Sequence, residues 1–379
     1  MPLSLKRPLS GAFISFGLIA MLALAACGST SGSTSAAGPK GCMKIGVLLP
    51  ESASSARWES KDHPLLEQAI KTALPGAQVT VTNANGDDTT QLNQAQADLT
   101  AGDCILVVAP HSSSAAAQIV QQAHQSHVPV IAYDRLINDT SLDYYVSFDN
   151  VSVGVNQGNY ISAHYQQYVQ ANGNNNIYFI DGAQTDNNAL LFKQGVHQVL
   201  DPLIQAGSLK SAYETFTPNW DNPAAQNEME QALTANGNKI AIAYVANDGM
   251  AGTVIQALTA QHLNGKVLVT GQDATVAGVQ QILLGNQSMT VYKPIIKEAQ
   301  GTADLVAALS KGTSTSSIVN GQTAYSGTNI PSVLEQVESV DISNVASTVI
   351  ADGFITHADL CNGIPAGTYG SGAGAITCP

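Results

Sequence analysis

An acidic and a basic residue, Asp134 and Arg135, directly follow an apolar run that has the character of a buried strand. The run, residues 128–133, is rich in β-branched side chains, and a strand covered on both faces is apolar throughout. Charges at its end would lie at the edge of a sheet, where open α/β sheets bind their ligands. The carboxylate can accept a hydrogen bond from one hydroxyl group while the guanidinium donates to another. Taken alone, the pair could equally be a surface ion pair or a loop cap.

Polar or aromatic side chains follow seven other predicted strands in the same way. Asn and Asp at such positions are common in turns and helix N-caps, but Arg, Lys and Trp have no such role. Because the pattern recurs in both halves of the chain, it favours two strand-end edges that face each other across a cleft. The residues are Arg57 and Trp58, Asn83–Asp87, Asp134 and Arg135, Asp186–Asn188, Asn219–Asp221, Asn247 and Asp248, Gln272 and Asp273, and Lys293.

The elements that would position these residues alternate between short apolar strands and amphipathic segments. Such alternation predicts an α/β fold with two doubly wound parallel sheets. The predicted strands are residues 43–49, 78–81, 105–109, 128–133, 144–148, 177–180, 212–216, 240–245, 267–270 and 289–292. Helical spacing of apolar residues marks residues 65–72, 91–99, 115–124, 189–200, 224–233 and 250–260.

The charges of the strand-end residues restrict the kind of ligand that the cleft can bind. The basic and acidic members balance, so an anionic ligand would leave excess negative charge in the cleft. The chain also lacks the GxxxxGK[ST] loop that holds phosphates. Either tryptophan can lie flat on a sugar ring, although each could instead fill a core. The sequence therefore predicts a neutral, polyhydroxylated ligand. The members counted are Arg57, Arg135 and Lys293 against Asp134, Asp186 and Asp273, with Trp58 and Trp220 as the aromatic pair.

Six of these segments keep the order and spacing of a known family. Residues 54–58, 132–139, 147–150, 185–189, 271–274 and 291–294 resemble periplasmic aldose-binding proteins of the D-xylose-binding type, and the likeness extends over residues 43–354. Those proteins are substrate receptors for ABC sugar importers. The resemblance implies a type I periplasmic-binding-protein fold, in which two α/β lobes are joined by three crossover strands. The crossovers would lie near residues 148–151, 292–294 and 333–337.

The resemblance also implies a domain plan and a set of sugar contacts. The first lobe would contain residues 42–149 and 294–333, the second residues 150–293 and 334–356, and residues 357–379 would form a separate tail. Pro50–Ala53 departs from the xylose type, and the Ser-Ala-Arg-Trp at residues 55–58 is more like relatives that take glucose, galactose and other aldoses. Residues 247–248 and 292–294 look like the xylose type, so D-xylose and similar aldoses such as glucose remain open. The implied contacts are Arg57, Asp134, Arg135, Asp186, Asn188, Trp220, Asn247, Asp273 and Lys293, with Trp58 and Asp248 as additions.

The first 26 residues are typical of an export signal. Lys6 and Arg7 form a basic start, and residues 11–23 are apolar but too few to span a bilayer. The segment ends in Leu-Ala-Ala-Cys27, which is similar to a bacterial lipobox, although an ordinary signal peptide with an incidental cysteine is the alternative. We expect a lipid anchor on Cys27, a flexible tether over residues 27–41, and a folded part outside the cytoplasmic membrane.

Four cysteines remain beyond the proposed anchor, and an even number in an exported chain indicates disulfides. Cys42 precedes the first strand and Cys104 precedes the third, and in a 2-1-3 strand order those strand starts are neighbours. We therefore expect the disulfides Cys42–Cys104 and Cys361–Cys378, the second of which would close a Gly-rich C-terminal loop. The chain lacks paired CxxC motifs with zinc spacing, and we expect neither a metal nor a cofactor.

Together these features predict a monomeric solute-binding lipoprotein that captures a monosaccharide and delivers it to an ABC permease. A receptor that presents sugar to a membrane sensor remains an alternative, as does an exported carbohydrate-active enzyme. Cations in the cleft disfavour the enzyme, because they would hold its carboxylates ionised. A net charge of −13 disfavours a nucleic-acid partner. A sugar-responsive repressor is disfavoured because no helix-turn-helix segment precedes Met43.

Overall fold

The computed structural model describes residues 40–379. In chain order its strands are β1 (Lys44–Leu49), β2 (Gln78–Asn83), β3 (Ile105–Val108), β4 (Val130–Tyr133), β5 (Tyr144–Phe148), β6 (Asn176–Asp181), β7 (Lys210–Phe216), β8 (Ile242–Val245), β9 (Leu268–Val269), β10 (Met289–Tyr292), β11 (Gly321–Tyr325), β12 (Thr328–Glu335), β13 (Glu338–Asp341), β14 (Gly367–Tyr369) and β15 (Ile376–Cys378). Its α-helices are α1 (His63–Ala73), α2 (Asp88–Ala101), α3 (Ala117–Gln125), α4 (Asn150–Asn172), α5 (Asn187–Gln205), α6 (Asn222–Ala235), α7 (Asp248–Ala260), α8 (Val276–Leu283), α9 (Ile295–Lys311) and α10 (His357–Cys361).

The N-terminal lobe is built on a seven-stranded sheet in the order β11-β12-β5-β4-β3-β1-β2. Successive side chains of its central strands point to opposite faces, and both faces are covered. Val47 and Val107 pack with α1 and α9 on one face, whereas Leu48 and Leu106 pack with α2 and α3 on the other. This two-sided burial explains why these strands are apolar throughout and why their polar residues are confined to the strand ends.

The C-terminal lobe repeats the plan on a smaller scale. Its parallel sheet has the order β7-β6-β8-β9, and β10 pairs with β13 in an antiparallel ribbon. The ribbon continues the sheet, because the backbone N–H groups of Ser288 and Val291 donate to the carbonyls of Val269 and Gly271. The strands pack with the helices α4 to α7 in one apolar core. The carboxyl ends of both sheets thus carry the loops that line the cavity described below.

The chain passes between the two sheets three times, from β5 to α4, from β10 to α9 and from β12 to β13. These connections coincide with residues 148–151, 292–294 and 333–337. The strands of the first sheet lie within residues 44–148 and 321–335, and those of the second sheet and its ribbon lie within residues 176–292 and 338–341. Three segments between two α/β lobes make the type I periplasmic-binding-protein architecture.

The ten predicted strands are all present, and the prediction of an α/β fold with doubly wound sheets is confirmed. Two antiparallel pairs, β11–β12 and β10–β13, depart from the purely parallel expectation. An antiparallel edge strand is common on an otherwise parallel sheet. The sequence pattern does not indicate α4, because its buried positions include Asn150, Gln157, Gly154 and Gly158, which interrupt an apolar stripe.

Both predicted disulfides, Cys42–Cys104 and Cys361–Cys378, are present. The first joins the starts of β1 and β3, which are adjacent strands. The second closes the C-terminal segment, where α10 and the β14–β15 hairpin cover the apolar residues of α8 and the segment 345–349. The amide of Gln280 on α8 donates to the carbonyls of Leu360 and Asn362, so the tail is fixed to the second lobe.

Within residues 40–379, no helix is long and apolar enough to cross a bilayer, and no cluster of three or more His, Cys, Asp or Glu side chains has the arrangement of a metal site. The expected signal segment, the anchor Cys27 and most of the expected tether lie outside the described residues.

Candidate functional site

The polar strand ends of the two lobes meet around one small cavity between them. Both lobes contribute walls, and most of the lining side chains are almost fully buried. The lining residues are Ser54, Ser55, Arg57, Trp58, Asp134, Arg135, Asp186, Asn188, Phe192, Trp220, Asn247, Gln272, Asp273 and Lys293.

Several charged side chains of the cavity converge on Asp134. It follows β4 in a left-handed conformation (φ 58°), which non-glycine residues adopt rarely and which is often found at functional sites. Its Oδ2 accepts from Arg57 Nη1 at 2.9 Å and from Lys293 Nζ at 3.3 Å, and its Oδ1 accepts from Asn188 Nδ2 at 3.3 Å. Burial opposes ionisation, but Arg57, Lys293 and Arg135 outweigh it and hold the pKa of Asp134 well below its ordinary value.

Arg57 is fixed by carboxylates on three sides. It precedes a π-helical turn, Trp58–Asp62, and its Nε and Nη2 donate to the two Asp62 oxygens at 2.8 and 2.7 Å. π-Helical turns are frequent at functional sites, and here the wider turn brings a residue five positions on into bidentate contact. Nη2 also donates to Glu298 Oε2 at 3.2 Å. Burial disfavours the guanidinium charge, but Asp134 and Asp62 outweigh it and raise the Arg57 pKa.

Arg135 forms a second, parallel arrangement that bridges the lobes. Its Nη1 and Nη2 donate to Glu51 at 3.2 and 2.7 Å, and its Nε lies 3.0 Å from Asp186 Oδ2 in the other lobe. The Trp58 ring lies beside both arginines, with its centroid 4.7 Å from the Arg57 guanidinium carbon and 5.1 Å from that of Arg135. Both guanidinium groups thus lie within the range at which an aromatic ring attracts a cation.

Trp220 belongs to the second lobe, in the short 3₁₀ turn Pro218–Trp220 after β7. Its Nε1 donates to Asp186 Oδ2 at 3.2 Å, and its ring packs edge-on against Phe192. Gly182 leaves room for the indole, because a Cβ at that position would lie 2.1 Å from the Trp220 ring. The indole is thus held rigidly beside the cavity, which suits an aromatic surface for stacking.

Helix N-termini supply the remaining second-lobe groups. Asp186 is the N-cap of α5 and Asn247 is the N-cap of α7. Asn188, in the first turn of α5, donates to the Asp134 carbonyl at 2.9 Å and accepts from Tyr145 OH and Asn150. Asp186 and Asn247 accept hydrogen bonds from backbone N–H groups at these helix ends. The same bonds fix the orientation of the two side chains at the cavity.

Asp273 closes the cavity near the hinge. It follows β9 with a φ of 100°, and its Oδ1 lies 3.3 Å from Lys293 Nζ and 3.7 Å from Arg57 Nη1. Neither contact meets hydrogen-bond geometry, and the buried Oε1 of Gln272 and Oγ of Ser55 also have no protein partner. Buried polar atoms normally have partners. These three atoms can therefore bond hydroxyl groups of a ligand.

A sequence model of the family described as "Periplasmic binding protein domain" matches residues 45–314. The chain belongs to this family.

The chain is 38% identical to the D-xylose-binding periplasmic protein of Haemophilus influenzae, over 84% of this chain and 92% of that protein. It is 36% identical, with the same coverage, to the D-xylose-binding periplasmic protein of Escherichia coli. An ABC transporter solute-binding protein from Clostridium phytofermentans, solved with bound β-D-glucose, superimposes with a TM-score of 0.75. That protein is 31% identical and matches 84% of this chain and 99% of its own. Periplasmic binding proteins of this kind bind solutes and are not enzymes.

The two lobes are in contact around the cavity. The Ser113 N–H donates to the Thr185 carbonyl at 3.1 Å, and the Asn187 N–H donates to Ser113 Oγ at 3.2 Å. On another side of the cavity, Asn222 Nδ2 donates to the Ala53 carbonyl at 3.3 Å. A ligand in the cavity would thus be surrounded by both lobes and shielded from water.

Ten of the eleven binding residues predicted for this periplasmic binding protein line the cavity, and Asp248 does not. Its carboxylate accepts hydrogen bonds from Thr275, Gln287 and Thr290 behind the cavity wall, so no oxygen is left to bond a ligand. The residues that line the cavity are Arg57, Trp58, Asp134, Arg135, Asp186, Asn188, Trp220, Asn247, Asp273 and Lys293.

Three buried acidic residues behind the cavity were not predicted from the sequence, and they add to the number of acidic groups around the cavity. The balance of three cations and three carboxylates holds for the lining, but Glu51, Asp62 and Glu298 add carboxyl groups behind it. Burial and the neighbouring Asp134 raise the pKa of Glu298 well above its ordinary value. Even without Glu298, Arg57 is paired with Asp62 and Arg135 with Glu51, which disfavours an anionic ligand further than the lining alone does. Ser54, Ser55, Phe192 and Gln272 also line the cavity without having been predicted to bind the ligand.

Proposed function

We propose that this protein captures a neutral monosaccharide, D-xylose or a similar aldose such as glucose, and delivers it to an ABC permease. The observation that carries the proposal is the cavity itself, in which three cations and three carboxylates alternate beside two tryptophans. Such a lining offers many donors and acceptors without net charge, which matches a polyhydroxylated ring. The names of the two D-xylose-binding relatives and the β-D-glucose bound to the similar structure support the same ligand class.

The residues divide between the two lobes. From the first lobe, Arg57 and Arg135 would donate to hydroxyl oxygens, while Asp134 would accept from hydroxyl groups. From the second, Asp186, Asn188, Asn247 and Asp273 would complete the polar rim, and Trp220 would pack on the ring, with Trp58 as a second aromatic wall. Lys293 would act from the hinge. Charge-assisted bonds of this kind are worth roughly 1.5–3 kcal/mol each.

Closure of the lobes would couple binding to transport. Sugar that contacts both walls stabilises the closed arrangement over an open one, because only the closed form makes both sets of contacts. An epimer that misdirects one hydroxyl would leave a buried charged group without a partner, which gives selectivity among aldoses.

The protein would act as a monomer outside the cytoplasmic membrane, the compartment of its family. We further propose that Cys27 carries a lipid anchor and that the tether lets the lobes reach the permease. The lipobox-like Leu-Ala-Ala-Cys27 supports this part of the proposal. Labelling of expressed protein with radioactive palmitate tests it, with Cys27→Ser as the unlabelled control.

Sugar-induced thermal stabilisation tests the binding proposal. A ligand at about a thousand times its dissociation constant stabilises a protein by about 4 kcal/mol. We expect D-xylose or D-glucose to raise the melting temperature of the wild-type protein and of Lys71→Ala, a surface control. Arg135→Ala should remain folded and lose the stabilisation. If Arg135→Ala is stabilised as much as wild type by the preferred sugar, the assignment of this cavity is wrong.

A further inference from the structure

Asp248 has an unusually complete set of partners for a carboxylate that does not line the sugar cavity. It is the first residue of α7 and is only 3% exposed. Its Oδ1 accepts from Gln287 Nε2 at 2.7 Å and from Thr290 Oγ1 at 2.8 Å. Its Oδ2 accepts from the Thr275 backbone N–H at 2.8 Å and from Thr275 Oγ1 at 3.2 Å. One carboxylate thus joins α7 to the segment before α8 and to the start of β10.

Two glycines make room for this carboxylate. A Cβ at Gly271 would lie 2.1 Å from Asp248 Oδ1, and a Cβ at Gly278 would lie 2.3 Å from Oδ2. Real Cβ atoms do not approach oxygen so closely, so both the loop after β9 and the first turn of α8 depend on the absence of a side chain. The surroundings are therefore shaped around the two oxygens of Asp248.

The partners of Asp248 enclose the turn that carries Asp273. The Asp248 backbone N–H donates to the Gln272 carbonyl at 3.0 Å, and its carboxylate holds Thr275 on the other side of the turn. Thr290 Oγ1 donates to Asp248 and accepts from the Ala274 N–H at 3.1 Å. Asp273 and Ala274 both have positive φ, 100° and 49°. Such conformations persist only where the surrounding structure fixes them.

We propose that Asp248 is a positioning residue, whose carboxylate holds the turn Gln272–Thr275 so that Asp273 and Gln272 are presented to the sugar. The proposal rests on the sugar-binding function proposed above, and it assigns Asp248 a role without sugar contact. A neutral amide of the same shape is a poorer partner, because four groups from three residues donate to the two oxygens. An amide would have to point its own N–H₂ group at donors.

The ionisation of Asp248 supplies a readout that a purely structural role would not affect. Burial raises the pKa of Asp248 to about 7, and the nearby Asp273 carboxylate acts in the same direction. The groups that face it from α8, β10 and the loop between them, namely Thr275, Gly278, Gln287 and Thr290, are uncharged. A protonated carboxyl would have to release one donor, which loosens the turn. Sugar affinity should therefore fall as the pH drops through about 7.

The test is calorimetric titration of D-xylose and D-glucose into wild type, Asp248→Asn, Thr290→Val, Thr290→Ser and Asp87→Asn across this pH range. Asp87 is a helix N-cap outside the cavity, and its variant is the control. We expect Asp248→Asn to bind the preferred sugar about tenfold or more weakly, as for loss of one charge-assisted bond, and with a flat pH profile. Thr290→Val, which removes the hydroxyl linking Asp248 to Ala274, should weaken binding, whereas Thr290→Ser should not.

Two results would overturn the proposal. Unchanged affinity in both Asp248→Asn and Thr290→Val would show that the turn does not depend on this carboxylate. Weakened binding in Asp248→Asn with the pH profile of wild type would show that ionisation of Asp248 plays no part. If the wild-type protein binds neither sugar at any pH, the proposed function itself fails. That failure is visible in the wild-type titration alone, so it cannot be confused with a failure of the role proposed for Asp248.

Discussion

The two walls of the cavity each present an aspartate on a left-handed turn, Asp134 after β4 and Asp273 after β9. The backbone N–H of each donates to the strand next to its own, Asp134 to Val146 and Asp273 to Val291. The two turns thus occupy corresponding places in the two lobes. Their surroundings differ, however, and the difference shows two ways in which a protein can hold a buried carboxylate ready for a ligand.

The carboxylate of the first-lobe turn is held by charged side chains, whereas that of the second-lobe turn is placed through the hydrogen bonds that hold its backbone. Asp134 has Arg57, Lys293 and Arg135 around it, which outweigh burial and lower its pKa. Asp273 has only the longer contacts to Lys293 and Arg57, and its turn depends on Asp248 and Thr290. We conclude that the first wall is strongly bound to its own partners, whereas the second keeps more of its hydrogen-bonding capacity for the ligand.

The largest expected effect is on stability, from Arg57→Met. Methionine keeps much of the side-chain length but leaves Asp62, Asp134 and Glu298 without their common partner. Removing one member of a buried ionic cluster typically costs about 3–5 kcal/mol. Urea unfolding without sugar measures the loss, and Lys71→Met is the control at an exposed ion pair. A loss below about 1 kcal/mol, the usual value for surface pairs, would contradict the view that charge holds the first wall.

The next largest effect is on sugar affinity, which should differ between variants of Asp134 and Asp273. Asp134→Asn should weaken binding of the preferred aldose roughly 100-fold, because it removes a sugar acceptor and also disturbs Arg57 and Lys293. Asp273→Asn should weaken it about tenfold, because fewer groups depend on that carboxylate. Calorimetric titration of both variants gives the ratio. Equal losses would mean that the two turns are held in the same way, contrary to their observed contacts.

A smaller effect is expected on stability in acid, and it comes from Asp134. The pKa of Asp134 is lowered in the fold, so its contribution to stability is present above its unfolded pKa of about 3.9 and is lost as the pH falls through the lower, folded value. Melting temperatures between about pH 2 and pH 5 should fall less steeply towards acid in Asp134→Asn than in wild type. Parallel profiles would remove Asp134 from the acid-sensitive groups.

The smallest effect should come from a contact between the lobes that belongs to neither turn. Lys61 Nζ, from the π-helical turn of the first lobe, donates to the Phe354 carbonyl at 2.6 Å, and the Phe354 ring packs at a tilt against Tyr292 at the hinge. Lys61→Met should speed sugar release about two- to fivefold, as expected for one net hydrogen bond, and leave the association rate unchanged. Stopped-flow measurements resolve the two rates. An unchanged release rate would exclude this contact from closure.

Much of the fold and of the cavity is predictable from the sequence. The reasons for this also explain why some residues around the cavity were not predicted. Strand ends are marked where apolar runs stop at residues such as Asp134 and Lys293, and topology then brings those ends together. Asp62 could not be recognised in this way, because a π-helical turn has no sequence signature that separates it from an α-helix. Glu298 lies on α9, more than 200 residues from Arg57 in sequence, so only the folded structure reveals their contact.

Asp248 shows a different limit of sequence reasoning. Its place after β8 and beside Asn247 is that of a cavity residue, yet the first turn of α7 directs its carboxylate towards Thr275 and Thr290. Position along a strand end predicts the neighbourhood of a side chain. The direction in which it points depends on the hydrogen-bond donors around it, which come from segments far away in the sequence.

Calorimetric titration of the wild-type protein with neutral and anionic sugars tests the central claim most directly. The panel contains D-xylose, D-glucose and D-galactose, with D-glucuronate as the charged counterpart of glucose. The account predicts saturable one-to-one binding of at least one neutral aldose and no measurable heat from D-glucuronate, because both arginines already have carboxylate partners. Binding of D-glucuronate more tightly than every neutral aldose, or no binding of any aldose, would contradict it.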